Sequence, residues 1–382
     1  YNPTKVLFGK GEVDKVGKLV KEYGNTVLLV YGKSSIKKIG LYDKVVKLLE
    51  KEDIKIIDFG GIDPNPRIES IREGGDLCKK HHVDLVLAVG GGSTIDASKG
   101  IASAAMYDGD PWDFYSYKVE STGALPIASI LTLAATGSEM NAGSVVTNFE
   151  TKEKNGWGSP YTNPKFSILD PEVVKSIPQR QIANGLADAF THVLEQYMTY
   201  SVDAKLQDRF AESILQTLIE VAPAILKDTS DYKAASNYMW SCTMALNGLI
   251  QQGVPSDWAI HMMGHELTAL FGIDHARTLA IITESHYKMN LEDKKGKLAQ
   301  YAERVWNVTE GTLEEKALAG IKKTTEFFHS LGIDTKLSDY TKDYKGTAEI
   351  ISKRFEERGW KGIGEKGKVT PALVEKIVEM SY

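Results

Sequence analysis

The chain has 382 residues, 42% of them hydrophobic and 25% charged, with a formal net charge of -5. That composition is ordinary for a globular protein, and the length is enough for two domains with separate cores. The acidic balance, with a pI of about 6.0 and no basic stripe, gives nucleic-acid binding no electrostatic support, and no apolar run reaches the about 18 residues a membrane span needs.

In chain order, Val13, Val16, Leu19 and Val20 mark one face of a helix that Gly24 closes. Residues 27–31 then read as a buried strand. Val45, Val46, Leu48 and Leu49 predict a second helix, and 54–59 a second strand. A third helix over 71–82 leads into a strand over 83–89, and 127–131 and 166–170 continue the pattern less regularly. Strands alternating with helices predict a parallel sheet covered on both faces. Residues 150–161 show no clear period and are expected to form a loop. The texture changes near Pro178. Beyond it the chain reads as helices, for example over 207–226, 234–251 and 317–331, with almost no strand signal. The reading is α/β plus all-α: an α/β domain over 1–180 and an all-helical domain over 181–382.

The two cysteines, Cys78 and Cys242, belong to no CxxC pattern and fit a reduced compartment. The first residues, Tyr1-Asn-Pro-Thr-Lys5, do not read as a signal peptide, and a cytoplasmic location is expected. Because they lack an initiator methionine, further residues are expected before them.

Val89 runs into Gly90-Gly-Gly-Ser93 and then Thr94-Ile-Asp96. Glycines between a strand and a helix let the backbone approach a phosphate, and the helix N-terminus offers N–H groups and a positive dipole. The motif is neither GxGxxG nor a Walker sequence, and alone it fits a tight turn equally well. A second loop, Thr132 to Glu139, carries small hydroxyl residues that contact ligands or, more often, cap helices.

The strongest chemical signal is a set of four metal donors: Asp188, His192, His261 and His275. Asp188 and His192 are four apart, one turn on one helix face. His261 opens a segment that includes His265 and ends at His275. One carboxylate and three imidazoles are borderline ligands that suit Fe2+ or Zn2+. A single buried histidine is more often a hydrogen-bonded core residue than a ligand. Here four of the chain's eight histidines fall in these two segments, which favours a metal. His81, His82, His286 and His329 read as structural, and Trp258 and Met262 as core or pocket lining.

Gly90-Gly-Gly-Ser-Thr-Ile-Asp96, Ala135-Thr-Gly-Ser-Glu139, Leu169-Asp-Pro-Glu172, Asp188-x3-His192 and His261-x3-His265-x9-His275 follow one another in that order. Taken together they resemble the iron-containing, or group III, alcohol dehydrogenases. Within that family the butanol dehydrogenase and broad-range aldehyde reductase branch is resembled through Tyr1 to Gly9, Asp63-Pro-Asn-Pro66 and Asp257 to Leu267. The resemblance spans nearly the whole chain. It implies a Rossmann-like N-terminal domain and a helical C-terminal domain with the active site in the cleft between, an architecture shared with dehydroquinate synthase. It implies reversible hydride transfer between a nicotinamide and a primary alcohol or aldehyde, and an assembly that is at least a dimer. Position by position it implies Asp188, His192, His261 and His275 as metal ligands. His265 matches a histidine beside the nicotinamide and substrate, where it could relay a proton. Gly91, Gly92 and Ser93 match the pyrophosphate loop, and Thr132, Thr136, Asn141 and Lys154 match positions near the ribose and nicotinamide. Asn65 and Asp96, inside the quoted motifs, join the cofactor candidates.

Some NAD-preferring relatives have an aspartate just after the strand that matches 27–31. This chain has Gly32 there, followed by Lys33, Ser34, Ser35, Ile36, Lys37 and Lys38. Gly32 leaves room, Ser34 can donate a hydrogen bond and the lysines favour a dianion, so NADP(H) is expected over NAD(H). A metal- and NAD-dependent lyase of the dehydroquinate synthase type is the rival reading. It needs a glutamate in its metal set and a basic pocket for a substrate phosphate. A cofactor-free metallohydrolase would leave the glycine loop unexplained.

Overall fold

A computed structural model describes all 382 residues. The first part of the chain runs β1 (Lys5–Phe8), α1 (Val16–Lys21), β2 (Thr26–Tyr31), α2 (Ser35–Lys38), α3 (Leu41–Glu50) and β3 (Lys55–Phe59). It continues with α4 (Ile68–His81), β4 (Leu85–Gly91), α5 (Gly92–Ala104), α6 (Trp112–Tyr115), β5 (Ile127–Leu133), β6 (Gly143–Asn148), β7 (Glu153–Gly158) and β8 (Phe166–Leu169). The rest is helical: α7 (Gln179–Tyr197), α8 (Lys205–Lys227), α9 (Tyr232–Ala245), α10 (Ala259–Phe271), α11 (His275–Met289), α12 (Leu291–Trp306), α13 (Leu313–Ser330), α14 (Thr347–Glu357) and α15 (Pro371–Met380). None of these helices is long and apolar enough to cross a membrane.

The chain divides into two compact units. One is Tyr1–Pro178 with Asp228–Asn247, the other Gln179–Lys227 with Gly248–Tyr382. In the first, six strands form an all-parallel sheet in the order β1-β8-β5-β4-β2-β3. Alternate residues of each strand feed opposite faces. Val27, Leu29, Leu85, Leu87 and Ile130 pack with Val16, Val45 and Leu49 of α1 and α3. Leu28, Val30 and Val86 pack with Ile71 of α4, Ile101 of α5 and Phe114 of α6. Burial on both faces is why these strands read as unbroken apolar runs.

Two local expectations differ from the structure, and one strand lies outside them. β1, an edge strand, is not foreseen by the reading. The expected loop over 150–161 contains β7, which pairs antiparallel with β6. Its sequence, Glu-Lys-Asn-Gly-Trp-Gly, has little intrinsic strand preference. Pairing with Val145 and Val146, and Trp157 stacked on Phe114 with ring centroids 5.1 Å apart, supply what propensity does not. Residues 228–247, expected in the helical domain, cluster with the first unit. Tyr238 of α9 donates to the Ala134 carbonyl, Thr243 Oγ1 donates to buried Glu139 (2.5 Å), and Trp240 meets Phe8 edge-on.

Candidate active site

In the first unit the strand order reverses about β2. The chain passes from β2 to its neighbour β3, then returns to β4 on the other side. Open α/β sheets bind ligands beyond the strand ends at such a switch point. Most of the predicted cofactor residues lie at or beyond the ends of β2 (Gly32, Ser34), β3 (Asn65), β4 (Gly91, Gly92, Ser93) and β5 (Thr136). Gly91 and Thr132 lie in the last residues of β4 and β5, Gly92, Ser93 and Asp96 in α5, and Lys154 on β7. Several of them meet directly. Lys154 Nζ on β7 donates to Asn65 Oδ1 (2.8 Å), and the Asn65 amide, at a left-handed φ of 57°, donates to Ser93 Oγ (3.3 Å). A Cβ on Gly92 would lie 2.4 Å from Thr136 Oγ1, so glycine is required for these two loops to close together. Gly91 is the N-cap of α5 and offers no side chain to its first amides, which suits them to an anion.

Asp96 of α5 and Asn141, just before β6, brace this region. Ser138 Oγ (2.5 Å) and the Val145 amide (2.9 Å) both donate to the buried Asp96 carboxylate. Buried Lys99, which sequence reasoning missed, donates to Ser138 Oγ, Asn141 Oδ1 and the Gly143 carbonyl. Burial lowers the Lys99 ammonium to about 8, opposed by the charges of Asp96 and Glu139. Asn141 Nδ2 donates to the Gly137 (2.9 Å) and Leu246 (3.1 Å) carbonyls. The side chains of Asp96 and Asn141 are thus committed to protein partners.

After β2, a Cβ on Gly32 would meet only Ile62 O at an ordinary 3.7 Å, so the position admits a side chain. Ser34 is the N-cap of α2 without a capping bond from its hydroxyl. The neighbouring lysines are engaged: Lys33 pairs with Asp63 (2.8 Å), and Lys37 lies over the Tyr31 and Tyr42 rings.

In the second unit the predicted donors converge. Asp188 Oδ1 lies 3.8 Å from His192 Nε2 and 3.7 Å from His275 Nε2. Donor atoms of Asp188, His261 and His275 all lie within 4.8 Å of one another. The His192 ring stacks on that of His261 at 4.7 Å. Asp188 is buried, and its Oδ1 has no hydrogen-bond partner. A buried carboxylate oxygen without a donor is costly unless a cation meets it, so the donor set fits a divalent metal. His265, one turn after His261 on α10, has its ring 5.0 Å from that of His275.

The donors sit among a network of polar side chains. Asp274, just before His275, accepts from Asn184 Nδ2 (2.9 Å) and Arg180 Nε (3.0 Å), while buried Arg277 donates to Asn184 Oδ1 (3.1 Å). Glu266 of α10 is buried and accepts from Arg354 and Arg358. Lys294 of α12 donates to Asp257 (2.7 Å), Glu365 (2.9 Å) and the Met198 carbonyl (2.6 Å). Trp258 follows in a left-handed conformation, φ 64°, with its ring against His261. Glu195 accepts from the Ile260 and His261 amides, and its Oε2 meets His261 Nδ1. Burial and the charge of Asp257 push its carboxyl well above the usual carboxylate range, and the two amides oppose that. The sequence signal for Asn184 and Glu195 is helical spacing: Asn184-x3-Asp188-x3-His192-x2-Glu195 is one face of α7.

Comparison with known proteins gives the family. Residues 3–171 match the family model for iron-containing alcohol dehydrogenases, and residues 182–378 match that family's C-terminal model. The chain is 45% identical to the NADPH-dependent aldehyde reductase YqhD of Escherichia coli, covering 99% of this chain and 98% of that protein. It is 42% identical to NADH-dependent butanol dehydrogenase A of Clostridium acetobutylicum, covering 100% and 98%. The crystal structure of the Thermotoga maritima NADH-dependent butanol dehydrogenase A superposes with a TM-score of 0.95 at 34% identity, covering 100% and 97%. The chain belongs to the iron-containing alcohol dehydrogenase family. It is an NAD(P)-dependent oxidoreductase of the alcohol dehydrogenase and aldehyde reductase class.

Proposed function

We propose that this enzyme interconverts short primary alcohols such as butanol and their aldehydes, with NADP(H) preferred over NAD(H) and one divalent metal, Fe2+ or Zn2+. The observation that carries the metal is the buried Asp188 Oδ1, without a hydrogen-bond partner and flanked by the Nε2 atoms of His192 and His275. Asp188, His192, His261 and His275 are the ligands. When bound, the metal supplies Lewis acidity to the substrate oxygen. The amides at the start of α5 take the pyrophosphate, and Thr136 and Lys154 orient the ribose and nicotinamide. His265 carries the proton between the substrate hydroxyl and solvent.

Coenzyme choice rests on the loop after β2, because relatives of similar identity carry both NADPH and NADH in their names. Gly32 places no acid there, and a 2′-phosphate would draw Lys33 away from Asp63. The buried free thiols of Cys78 and Cys242 support a reduced, cytoplasmic setting. We take the assembly to be a homodimer, which sedimentation tests.

The deciding experiment follows NADPH oxidation with a panel of linear aldehydes. Butanal-dependent oxidation with matching butanol formation is expected. Turnover that leaves the coenzyme unchanged overall would favour the dehydroquinate synthase type of lyase instead.

A further inference from the structure

One face of α7 carries two ligands of the proposed metal centre, Asp188 and His192, and one turn further on Glu195. Glu195 is 1% exposed and reaches the first turn of α10. That turn begins with Trp258 at its N-cap, which supplies no capping side chain. Glu195 supplies the cap from another helix. Its Oε1 accepts from the Ile260 amide (2.7 Å) and its Oε2 from the His261 amide (3.1 Å), while its backbone carbonyl accepts from Asp257 N (2.8 Å). The same Oε2 meets Nδ1 of the His261 ring.

We propose that Glu195 is the positioning residue that presents His261 to the metal. The proposal rests on the reading of Asp188, His192, His261 and His275 as ligands. Imidazole has two nitrogens, and in the neutral ring only one carries the proton. Both Glu195 oxygens already accept backbone amides, which favours the ionised, acceptor-only carboxylate. Such an acceptor at Nδ1 holds the proton there. Nε2 is then the nitrogen with a lone pair for the metal. A carboxylate behind a ligating imidazole also fixes the ring's orientation and raises its basicity. Because the same carboxylate holds the backbone of residues 260 and 261, ring and helix are set by one group.

Long-range 1H–15N spectra of metal-free, 15N-histidine-labelled protein read the tautomer directly, with His261→Ala giving the assignment. Wild type should show His261 protonated at Nδ1. Glu195→Gln keeps the shape but puts an amide NH2 against either the Ile260 amide or the His261 donors. It should lose the pure Nδ1–H tautomer and bind Zn2+ roughly 10- to 100-fold more weakly in chelator competition. Glu266→Gln serves as the control: it disturbs the same helix through Arg354 and Arg358, and should lower Tm while leaving Zn2+ affinity and tautomer unchanged. A wild-type His261 protonated at Nε2 would overturn the proposal, even if Glu195→Gln did not fold. So would Glu195→Gln with wild-type affinity and tautomer. Wild type that takes up no Zn2+ would instead overturn the metal site itself.

Discussion

His275 Nε2 lies 3.7 Å from Asp188 Oδ1, although one side chain opens α11 and the other is in the middle of α7. The packing brings several imidazoles to one buried carboxylate, and Asn184, Arg180, Arg277 and Glu195 surround that arrangement. Without a cation, Asp188 would be a buried acid with an unsatisfied oxygen, which lowers stability. The site and the fold around it are therefore coupled.

Metal removal should be felt twice. Dialysis against a chelator should abolish turnover, and Fe2+ or Zn2+ should restore it. Stability should fall as well, because a ligand that binds only the folded state at 1,000-fold its Kd adds about 4 kcal/mol. Activity assays and thermal melts on the same samples check both. Full activity in protein shown by elemental analysis to be metal-free would sink the reading.

The two histidines of α10 should separate. His261→Ala removes a ligand and should lose metal and activity together. His265→Ala should keep most of its metal and lose kcat, because it removes proton transfer and leaves ligation. Metal content and kcat, measured side by side, decide it. Equal metal loss in both variants would make His265 a ligand.

The α/β order was legible because apolar runs and amphipathic helices report burial directly. Leu28 and Leu29 face opposite sides of the sheet and are both fully buried, so the strand reads as continuous. β7 was not legible, since its stability comes from Trp157 and from β6, a long-range cause. The placement of α9 escaped for the same reason: Tyr238 and Thr243 look like any helix residues until Ala134 and Glu139 are beside them. At the site, residues with distinctive chemistry stood out by spacing. Glu195 and Lys99 did not, because a buried charged residue looks like a surface one in sequence. Only the α7 stripe hinted at Glu195.

His286 should make stability depend on pH. It is fully buried, neither ring nitrogen has a hydrogen-bond partner, and Asp257 Oδ1 is 3.9 Å from Nε2. Burial lowers it to about 4, against the pull of Asp257 and with the push of Lys294. The folded state keeps it neutral where the unfolded chain, near 6.5, takes a proton. Stability should therefore fall as pH drops from about 6.5 toward 4, by about 2 kcal/mol between pH 7 and 5. Glu365, raised to about 7 by burial and Asp257, acts in the opposite sense over the same range, so the readout is the difference between wild type and His286→Leu. Urea unfolding at both pH values measures it. If the variant loses as much stability on acidification as wild type, His286 is not the cause.

Gly32→Asp tests coenzyme preference at a position where the fold tolerates the change. Gly32 is outside the left-handed region, and a Cβ there makes only an ordinary contact with Ile62 O. Loss of fold is therefore not the expected result. An aspartate at the end of β2 would accept from a ribose 2′-OH and repel a 2′-phosphate. It would also compete with Asp63 for Lys33, removing a cation from the dianion's surroundings. Like-charge repulsion in a partly screened site is worth ~1–3 kcal/mol, roughly 5- to 150-fold in kcat/KM. NADPH use should fall by that factor while NADH use holds or improves. The wild type should favour NADPH at the outset, for Gly32 and Ser34 leave space and a donor, and Lys33 a charge. Measuring kcat/KM for both coenzymes, in both proteins and at low ionic strength, decides the matter, since salt screens the effect. Equal or better use of NADH by the wild type would overturn the preference.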